Sequence, residues 1–339
     1  MHPKRLPSPC HEPTLGGLLR AMVFGLLVVG FIALAHGAET SRPPLPDAET
    51  DAMLAAEINA FSRDLERLRR FMGAPRANNL DIGIHDLMPR DLYFQTLTLW
   101  EQTDRLSFEI LRTRAKPLPT PTGAIGPQDA LRRLQDAHEH VRHIMRQLQI
   151  TDIGGSVEGD GMATLDRFNA LLNLNRQLNL LLERHISPSD VYQQVTLAIG
   201  YSARLLARYP DAIRIPEEPP FEPDKLPRDV YLRLSECLQG IVRIFDRLGL
   251  AVLKIDTRQT DLDRLQPGDV YLIATLIVSQ LNFLHTHLGI TQPPPQPIYP
   301  GLKFPAHTYQ RAAILQAQLN QLERFLTPGQ AMTPSPASP

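Results

Sequence analysis

The chain has 339 residues, of which 35 are Lys or Arg and 36 are Asp or Glu, giving a formal net charge of −1. This balance, without a basic excess, is not the charge distribution of a nucleic-acid-binding protein. Hydrophobic residues make up 43% of the chain, as is typical of a globular protein. The length allows one large or two medium-sized domains.

The first 35 residues have the organisation of a secretory signal peptide. Basic residues precede an uncharged apolar run over residues 21–35 that ends in small residues. Cleavage is predicted after Ala35, or alternatively after Ala38, which predicts a periplasmic or secreted protein. The alternative is an inner-membrane anchor formed by residues 21–35, although a spanning helix needs about 20 apolar residues. Membrane contact is expected only if this segment stays uncleaved.

Cleavage after Ala35 leaves one cysteine, Cys237, because Cys10 lies before the apolar run. It also removes three basic residues and one acidic residue, which changes the formal net charge from −1 to −3. An exported chain with one cysteine has no internal disulfide, so its apolar core must suffice. Cys237 falls on a helical apolar stripe, and we expect a buried, unreactive thiol.

Apolar periodicity predicts an all-α fold of about eight helices, arranged as a bundle or a short solenoid of repeats of about 39 residues. An extended leader over residues 36–48 is followed by a helical-repeat domain over residues 49–326 and a disordered tail over residues 327–339. Four helices are predicted at residues 51–72, 89–111, 127–148 and 162–185, and four more begin at Pro188, Pro227, Pro267 and Pro305.

Most of these helices begin with one five-residue pattern, Pro-x-Asp-Val-Tyr. It begins at Pro188, Pro227 and Pro267, with a near copy at Pro89 and weaker copies at Pro127 and Pro305. These prolines lie 38 to 40 residues apart, except for one gap of 61 residues that contains helix four. A fixed spacing in this range is typical of a repeat architecture.

The repeated Asp and Tyr have two interpretations. Proline fits the first helical position, and an aspartate two residues later faces the unpaired N–H groups and the positive end of the helix dipole. The pattern is then simply a helix start. Alternatively, it is a repeated ligand site, with candidate binding residues Asp91, Tyr93, Asp190, Tyr192, Asp229, Tyr231, Asp269 and Tyr271.

Long Pro-rich linkers of about 16 residues separate helices five to eight. Sixteen extended residues span about 50 Å, whereas a helix of 23 residues is about 35 Å long. Each linker can therefore run back along its helix, which allows successive helices to be parallel. Apolar linker residues are expected to pack on the helices: Ile82, Ile84, residues 251–255, Ile298 and Tyr299.

Two helices have unusual composition. Residues 270–290 of helix seven are uncharged and long enough to cross a membrane, but their histidines and amides would be unfavourable there. We predict a central buried helix instead. Helix four carries a row of asparagines that we interpret as a solvated face, or alternatively as a polar contact surface for a partner: Asn169, Asn173, Asn175 and Asn179.

Few residues have the pattern of a catalytic or metal site. The sequence from His138 to His143 resembles the H-E-x-x-H zinc motif, but arginine stands where the second histidine is needed. Glu139, His140 and His143 could still share a helix face and bind a metal. The acidic loop at residues 150–161 lacks the spacing of a calcium loop and is predicted to be flexible. No catalytic residue and no cofactor is predicted.

These features favour a non-enzymatic interaction or scaffold module in the cell envelope, with an envelope protein as its partner and no nucleic acid. The alternative is a periplasmic small-molecule binding or sensory domain, with a pocket near the repeated helix starts. A third hypothesis, a metal-dependent hydrolase, rests only on Glu139, His140 and His143.

Overall fold

The computed structural model describes residues 47–76, 83–116, 121, 125–150, 164–256, 261–290 and 292–326. These residues are mostly helical, which confirms the all-α prediction. They form α1 (Asp47–Met72), β1 (Gly83–His85), α2 (Pro89–Leu111), α3 (Pro127–Gln147), α4 (Thr164–Asn179), α5 (Pro188–Leu206), α6 (Pro227–Leu248), β2 (Lys254–Asp256), a 3₁₀ helix (Leu262–Arg264), α7 (Pro267–His287) and α8 (Pro305–Phe325). The predicted signal peptide, most of the acidic loop and the tail lie outside the described residues.

Two helix boundaries differ from the prediction. α1 begins at Asp47, inside the predicted leader. α4 ends at Asn179, six residues before the predicted end. The side-chain oxygen of Asn179 accepts a hydrogen bond from the backbone N–H of Ile186 at 2.7 Å. Asparagine favours such local bonds over a continued helix, so the chain turns here.

Helices α5 to α8 form one parallel array, which we call the second array. α5 and α6 each pack against both α7 and α8. Hydrogen-bonded partners on α5 and α8 lie 115 to 120 residues apart along the whole contact. This near-constant offset means that the two helices run in the same direction. Partners on α6 and α8 keep an offset of 75 to 80 residues, with the same consequence.

Helices α1 to α4 show the same contact pattern. Because they come first in the chain, we call them the first array. α1 and α2 each pack against both α3 and α4. The hydroxyl of Tyr93 in α2 accepts a hydrogen bond from Arg133 of α3. Further along the same two helices, Thr103 of α2 hydrogen-bonds to His140 of α3. These pairs are 40 and 37 residues apart, so α2 and α3 are also parallel.

The two arrays are joined by α2 and α7 and by a short strand pair. β1 and β2 are antiparallel, with Ile84 opposite Ile255. The first turn of α2 contacts Gln280 in the second half of α7. At the start of α7, the Tyr271 phenol lies within electrostatic range of Glu101 in the middle of α2. The two helices therefore run in opposite directions.

The long linkers run antiparallel to helices, but not along the helices that precede them, as the prediction had it. Residues 207–226 run along α8 instead of α5, and residues 292–303, which we call the strap, run along α5 instead of α7. Ile84 is buried between the arrays, and so are Val252 and Leu253. The prediction is wrong for Ile298, which is 92% exposed, and for Tyr299, which is 42% exposed and has Arg184 over its ring. Ile82 lies outside the described residues.

One apolar core runs through both arrays. α7 lies at its centre, against α2, α5 and α6, as predicted. Among the described residues it is the one helix long and apolar enough to cross a membrane, and 67% of its most apolar window is buried in the protein. Cys237 is also buried, and burial raises the pKa of its thiol to about 12.

Candidate functional site

The aspartates of the repeated pattern cap their own helices. In α2, α5, α6 and α7 a proline is the first residue, and the aspartate at the third position accepts the backbone N–H of the residue before the proline. For Asp229 and Leu226 this distance is 2.7 Å, and in the other three helices it is 2.8–2.9 Å. The bonds satisfy an N–H group that the helix leaves unpaired. They support the helix-start interpretation.

The tyrosines of the pattern contact a neighbouring helix. The Tyr271 hydroxyl accepts a hydrogen bond from Gln194 of α5 at 3.0 Å. In three other cases an arginine lies over the tyrosine ring: Arg133 over Tyr93, Arg311 over Tyr192 and Arg233 over Tyr309. In all four pairs, the partner is the seventh residue of a helix that begins with proline. Tyr231 of α6 is fully buried.

Asp91 has a further role between the arrays. The side chain of Gln280 donates to Asp91 from its amide nitrogen and accepts from Arg90 at 3.0 Å through its amide oxygen. Arg90 also donates to the carbonyl of Ala251 at 2.6 Å and lies 4.0 Å from the ring centroid of Phe283. Burial raises the pKa of Asp91, although the N–H of Met88 and the nearby Arg90 partly offset this. The cluster is a satisfied polar contact between two buried helices.

A shallow depression lies where the first turns of α5, α6, α7 and α8 meet. Each helix contributes its first and fourth residues: Pro188, Val191, Pro227, Val230, Pro267, Val270, Pro305 and Thr308. Its cavity volume is about 10 Å³, roughly the space that one water molecule needs. Typical small-molecule pockets hold about 300–1,000 Å³. None of the eight predicted ligand residues lines this depression.

Large apolar side chains are exposed around the depression. Leu226 and Phe304, which immediately precede Pro227 and Pro305, are 48% and 57% exposed. The ring of His307 lies 4.9 Å from that of Phe221 and 5.9 Å from that of Phe304. We call the depression together with Leu226, Phe304 and Phe221 the apolar pole. The sequence could have indicated these two residues, because Ser, Thr, Asp and Asn are the usual residues immediately before a helix, whereas Leu226 and Phe304 are apolar.

The predicted metal residues are not brought together. Glu139 pairs with Arg146, and His140 bonds to Thr103 at 3.0 Å. Burial lowers the pKa of His140. His143 is partly buried elsewhere on α3. No group of three His, Cys, Asp or Glu side chains in the described parts of the chain could hold a metal ion.

A charged cluster that the sequence analysis missed lies between α1 and α3. His138 is fully buried, with Nδ1 2.5 Å from Glu57 and Nε2 2.9 Å from Asp64. Its ring stacks on Phe61 at a centroid distance of 4.8 Å. Burial alone would lower the pKa of His138, but the bonds to the two carboxylates outweigh burial and raise it. The cluster joins two helices, and both ring nitrogens of His138 are already bonded to carboxylates.

The asparagine row on α4 is not a simple solvated face. Asn175 accepts a hydrogen bond from Gln102 of α2 at 2.9 Å and donates to the backbone carbonyl of Gln95 at 3.2 Å. Asn179 ends the helix, as described above. The interpretation as a solvated face is therefore wrong for these two residues, which contact the protein itself.

Comparison with known proteins gives no relative: no protein-family model, no curated protein and no solved structure matches this chain significantly. We therefore infer its function from the geometry of the described residues.

Proposed function

We propose that this chain is an exported, non-enzymatic interaction module that binds a protein partner in the cell envelope. The observation that carries the proposal is the apolar pole, where Leu226, Phe304 and Phe221 stand exposed around an apolar depression. Contiguous exposed apolar residues often mark protein–protein contact sites. Export is supported by the basic and apolar pattern of residues 1–35.

We also propose that the scaffold is built from repeats of about 39 residues. Three positions support this. The third residue caps α2, α5, α6 and α7, the fourth lines the depression in α5 to α8, and the fifth contacts a neighbouring helix in α2, α5, α7 and α8. Repeated units with one packing role build broad surfaces without a catalytic group. In this proposal the Pro-x-Asp-Val-Tyr pattern maintains the scaffold, and the exposed residues between helices provide recognition.

The small-molecule alternative has less support. The depression is small and partly open, whereas a ligand pocket usually encloses most of its ligand and presents a few convergent polar groups. Thr308, the polar residue among those that line it, donates to the carbonyl of Pro188 at 3.2 Å, and the aspartates of the helix starts already accept backbone N–H groups.

The test exploits the position of Leu226 and Phe304 before their helices. Replacing them with serine, Leu226→Ser and Phe304→Ser, removes exposed apolar surface and reproduces Ser187, which precedes α5. Serine is a favoured residue at this position, so the fold should be retained or slightly stabilised. The matched control is Leu232→Ser, which changes a leucine of α6 that is 39% exposed.

Each variant is isolated from the exporting cell after mild crosslinking, and the masses of its complexes are measured by native mass spectrometry. We expect a stoichiometric complex with one envelope protein for the wild type and for Leu232→Ser. The double serine variant should lose it. A wild-type chain that carries a stoichiometric small molecule and no protein would overturn the proposal.

A further inference from the structure

Two cations lie over one tyrosine ring where α5, α8 and the end of the strap meet. The Nζ of Lys303 is 5.1 Å from the ring centroid of Tyr192, and the guanidinium carbon of Arg311 is 5.5 Å from it. We call these three residues the α8 group. All three are partly exposed, so solvent and dissolved ligands reach them.

The surrounding contacts fix the position of the α8 group. The hydroxyl of Ser189 accepts the backbone N–H of Lys303 at 2.9 Å and so holds the end of the strap on α5. The Nε of Arg311 donates to the hydroxyl of Thr196 at 3.3 Å. Thr196 in turn donates to the carbonyl of Tyr192 at 2.8 Å. The two cations are thus supported by packed helices, which lowers the entropic cost of ordering them around a ligand.

An equivalent group at the start of α6 consists of Lys225, Arg233 and Tyr309, and we call it the α6 group. In both groups the lysine comes two residues before the first proline of its helix, and the arginine is the seventh helical residue. The tyrosine is the fifth residue of a neighbouring helix. The Lys225 Nζ and the Arg233 guanidinium lie 4.5 Å and 3.6 Å from the centroid of the Tyr309 ring. The same three side-chain types therefore meet twice and can be compared directly.

The α6 group is satisfied by its own neighbours. A carboxylate oxygen of Glu222 lies 2.7 Å from the Nζ of Lys225, so the lysine is paired. The Tyr309 hydroxyl accepts a hydrogen bond from Arg233 at 2.6 Å. One cation of the α6 group is therefore neutralised, and its tyrosine hydroxyl is already in use.

The α8 group lacks these partners. The residue three positions before the lysine, which is Glu222 in the α6 group, is Pro300 here. No acidic side chain among the residues that the structure describes forms an ion pair with Lys303 or Arg311, and within the same residues the Tyr192 hydroxyl makes no hydrogen bond. Arg311 bonds only through its Nε. Two positive charges, the terminal guanidinium nitrogens and a hydroxyl are consequently left for a ligand.

We propose that the α8 group binds a phosphate group. Its two positive charges match the charge of about −1.5 to −2 that a phosphate monoester carries at pH 7. The free end of Arg311 presents the fork that binds two phosphate oxygens, and Lys303 adds a point charge. The Tyr192 hydroxyl supplies one more donor. A carboxylate, with two oxygens and one charge, would leave a cation and a donor unused.

The phosphate can belong to a soluble molecule or to the headgroup of an anionic phospholipid, since both present the same chemistry to the α8 group. The site does not depend on the protein contact proposed at the apolar pole. It gives the chain a second ligand of a different class, and its failure would leave the proposed function standing.

The experiment titrates the full chain, purified in phosphate-free buffer, with inorganic phosphate, glycerol phosphate and acetate by calorimetry. Cosedimentation with phosphatidylcholine vesicles, with and without phosphatidic acid, is measured in parallel. The variants that remove one group each are Lys303→Gln, Arg311→Gln and Tyr192→Phe. A further variant, Pro300→Glu, introduces the acid that the α6 group has. The matched control is Lys225→Gln, and urea denaturation without phosphate checks that every variant is folded.

We expect one saturable site for the phosphate probes and much weaker binding of acetate. Removal of either cation should weaken phosphate binding by about tenfold or more, because each change removes a charge-assisted contact. Pro300→Glu should have the same effect, since the new carboxylate pairs with Lys303. Tyr192→Phe should weaken binding severalfold, and Lys225→Gln should change it by less than about twofold.

The probes also identify the source of the phosphate. Saturation by inorganic phosphate or glycerol phosphate would assign a soluble ligand. Binding only to vesicles that contain phosphatidic acid, lost in the two cation variants, would assign a lipid headgroup. Three results would overturn the proposal: no saturable binding of any phosphate probe, acetate binding as tight as that of phosphate, or equal weakening by Lys225→Gln and Lys303→Gln.

Discussion

Arg233 of α6 donates a hydrogen bond to the hydroxyl of Tyr309 in α8 at 2.6 Å, and its guanidinium lies 3.6 Å from the centroid of the same ring. The fifth residue of one helix thus contacts the seventh residue of a neighbouring helix. Tyr93 and Arg133 have the same relationship in the first array. A parallel helix pair keeps corresponding positions side by side, so a repeated sequence produces a repeated contact.

Removal of the Tyr309 hydroxyl should weaken the α6–α8 contact. A hydrogen bond to a charged group contributes about 1.5–3 kcal/mol when buried. Because this one is only partly buried, we expect Tyr309→Phe to lower the free energy of unfolding by about 1–1.5 kcal/mol in urea denaturation. Tyr192, which contacts Arg311 through its ring, is the control, and Tyr192→Phe should cost less than about 0.5 kcal/mol. Equal losses for the two variants would contradict the assigned role of the hydroxyl.

α8 begins with a weaker cap that can be improved. Its third residue is His307, whose Nδ1 accepts the backbone N–H of Phe304 at 3.2 Å. An aspartate would accept this bond with a negative charge at the positive end of the helix dipole. We expect His307→Asp to raise the free energy of unfolding by about 0.5–1 kcal/mol at pH 7.

The reverse exchange in α6, Asp229→His, should lose a similar amount. His307→Ala measures the loss of the ring contacts with Phe221 and Phe304 separately. Destabilisation by His307→Asp beyond that of His307→Ala would show that the cap does not depend on charge.

The sequence predicted the helix starts because each signal is local. Proline and the following aspartate act within one turn, so Asp229 could be assigned to its cap without knowledge of the fold. Linker length and helix length predicted that the linkers could run back antiparallel to a helix, but not that the strap would lie on α5 instead of α7. The exposed side chain of Ile298 was not predictable either, because the inward positions are known only when the neighbouring helix is known.

Contacts between distant segments could not be predicted from one sequence. His138 and Glu57 are 81 residues apart, and only the packing of α1 on α3 brings them together. The local motif pointed to Glu139, His140 and His143 as metal ligands, and no local pattern marks the carboxylate partners of His138. The pairing of Ile84 with Ile255 was equally unpredictable, because strands of three residues are too short to show an alternating apolar pattern.

The contact between the strap (residues 292–303) and α5 predicts different effects for two glycine substitutions. A Cβ on Gly200 would lie 3.0 Å from the Cβ of Pro294, whereas a Cβ on Gly240 of α6 would meet side chains of Arg243 and Leu319 at 3.6–3.7 Å. Alanine in a helix is favoured over glycine by about 0.5–1 kcal/mol. Gly240→Ala should therefore stabilise the protein by about that amount.

For Gly200→Ala, we expect no such gain, because the strap must move away from α5. Trypsin should then cut after Lys303 several times faster than in the wild type. Gly240→Ala should leave this cleavage rate unchanged. If Gly200→Ala stabilised the protein and left Lys303 protected, the strap would not be seated on α5 as described.

The cluster of His138, Glu57 and Asp64 predicts a stability optimum in pH. The bonds to the carboxylates raise the pKa of His138. His138 therefore contributes its full stabilisation of the fold below the ordinary histidine pKa of about 6.5. This stabilisation is lost as pH rises through the raised pKa of His138. Burial alone would raise the pKa of Glu57 and of Asp64, but the bonds from His138 outweigh burial and lower both.

Glu57 and Asp64 therefore contribute their full stabilisation above the ordinary pKa range of carboxyl groups. This stabilisation is lost as pH falls through their lowered pKa values. Arg142, whose Nε lies 3.7 Å from Asp64, and Arg67, which bonds to Asp64 at 3.1 Å, are the other charges facing the cluster. The cluster should stabilise the fold most strongly between about pH 4.5 and pH 6.5.

His138→Gln tests this directly. It leaves two partly buried carboxylates without their cation, which should cost about 2–4 kcal/mol at pH 6, and it should abolish the decline in stability above pH 6.5. His85→Gln, which changes an exposed histidine of β1, should leave the profile unchanged. The measurement is the free energy of unfolding in urea from pH 4 to pH 9 for the three proteins. An unaltered decline above pH 6.5 in His138→Gln would assign that transition to another group and refute the charged state of His138.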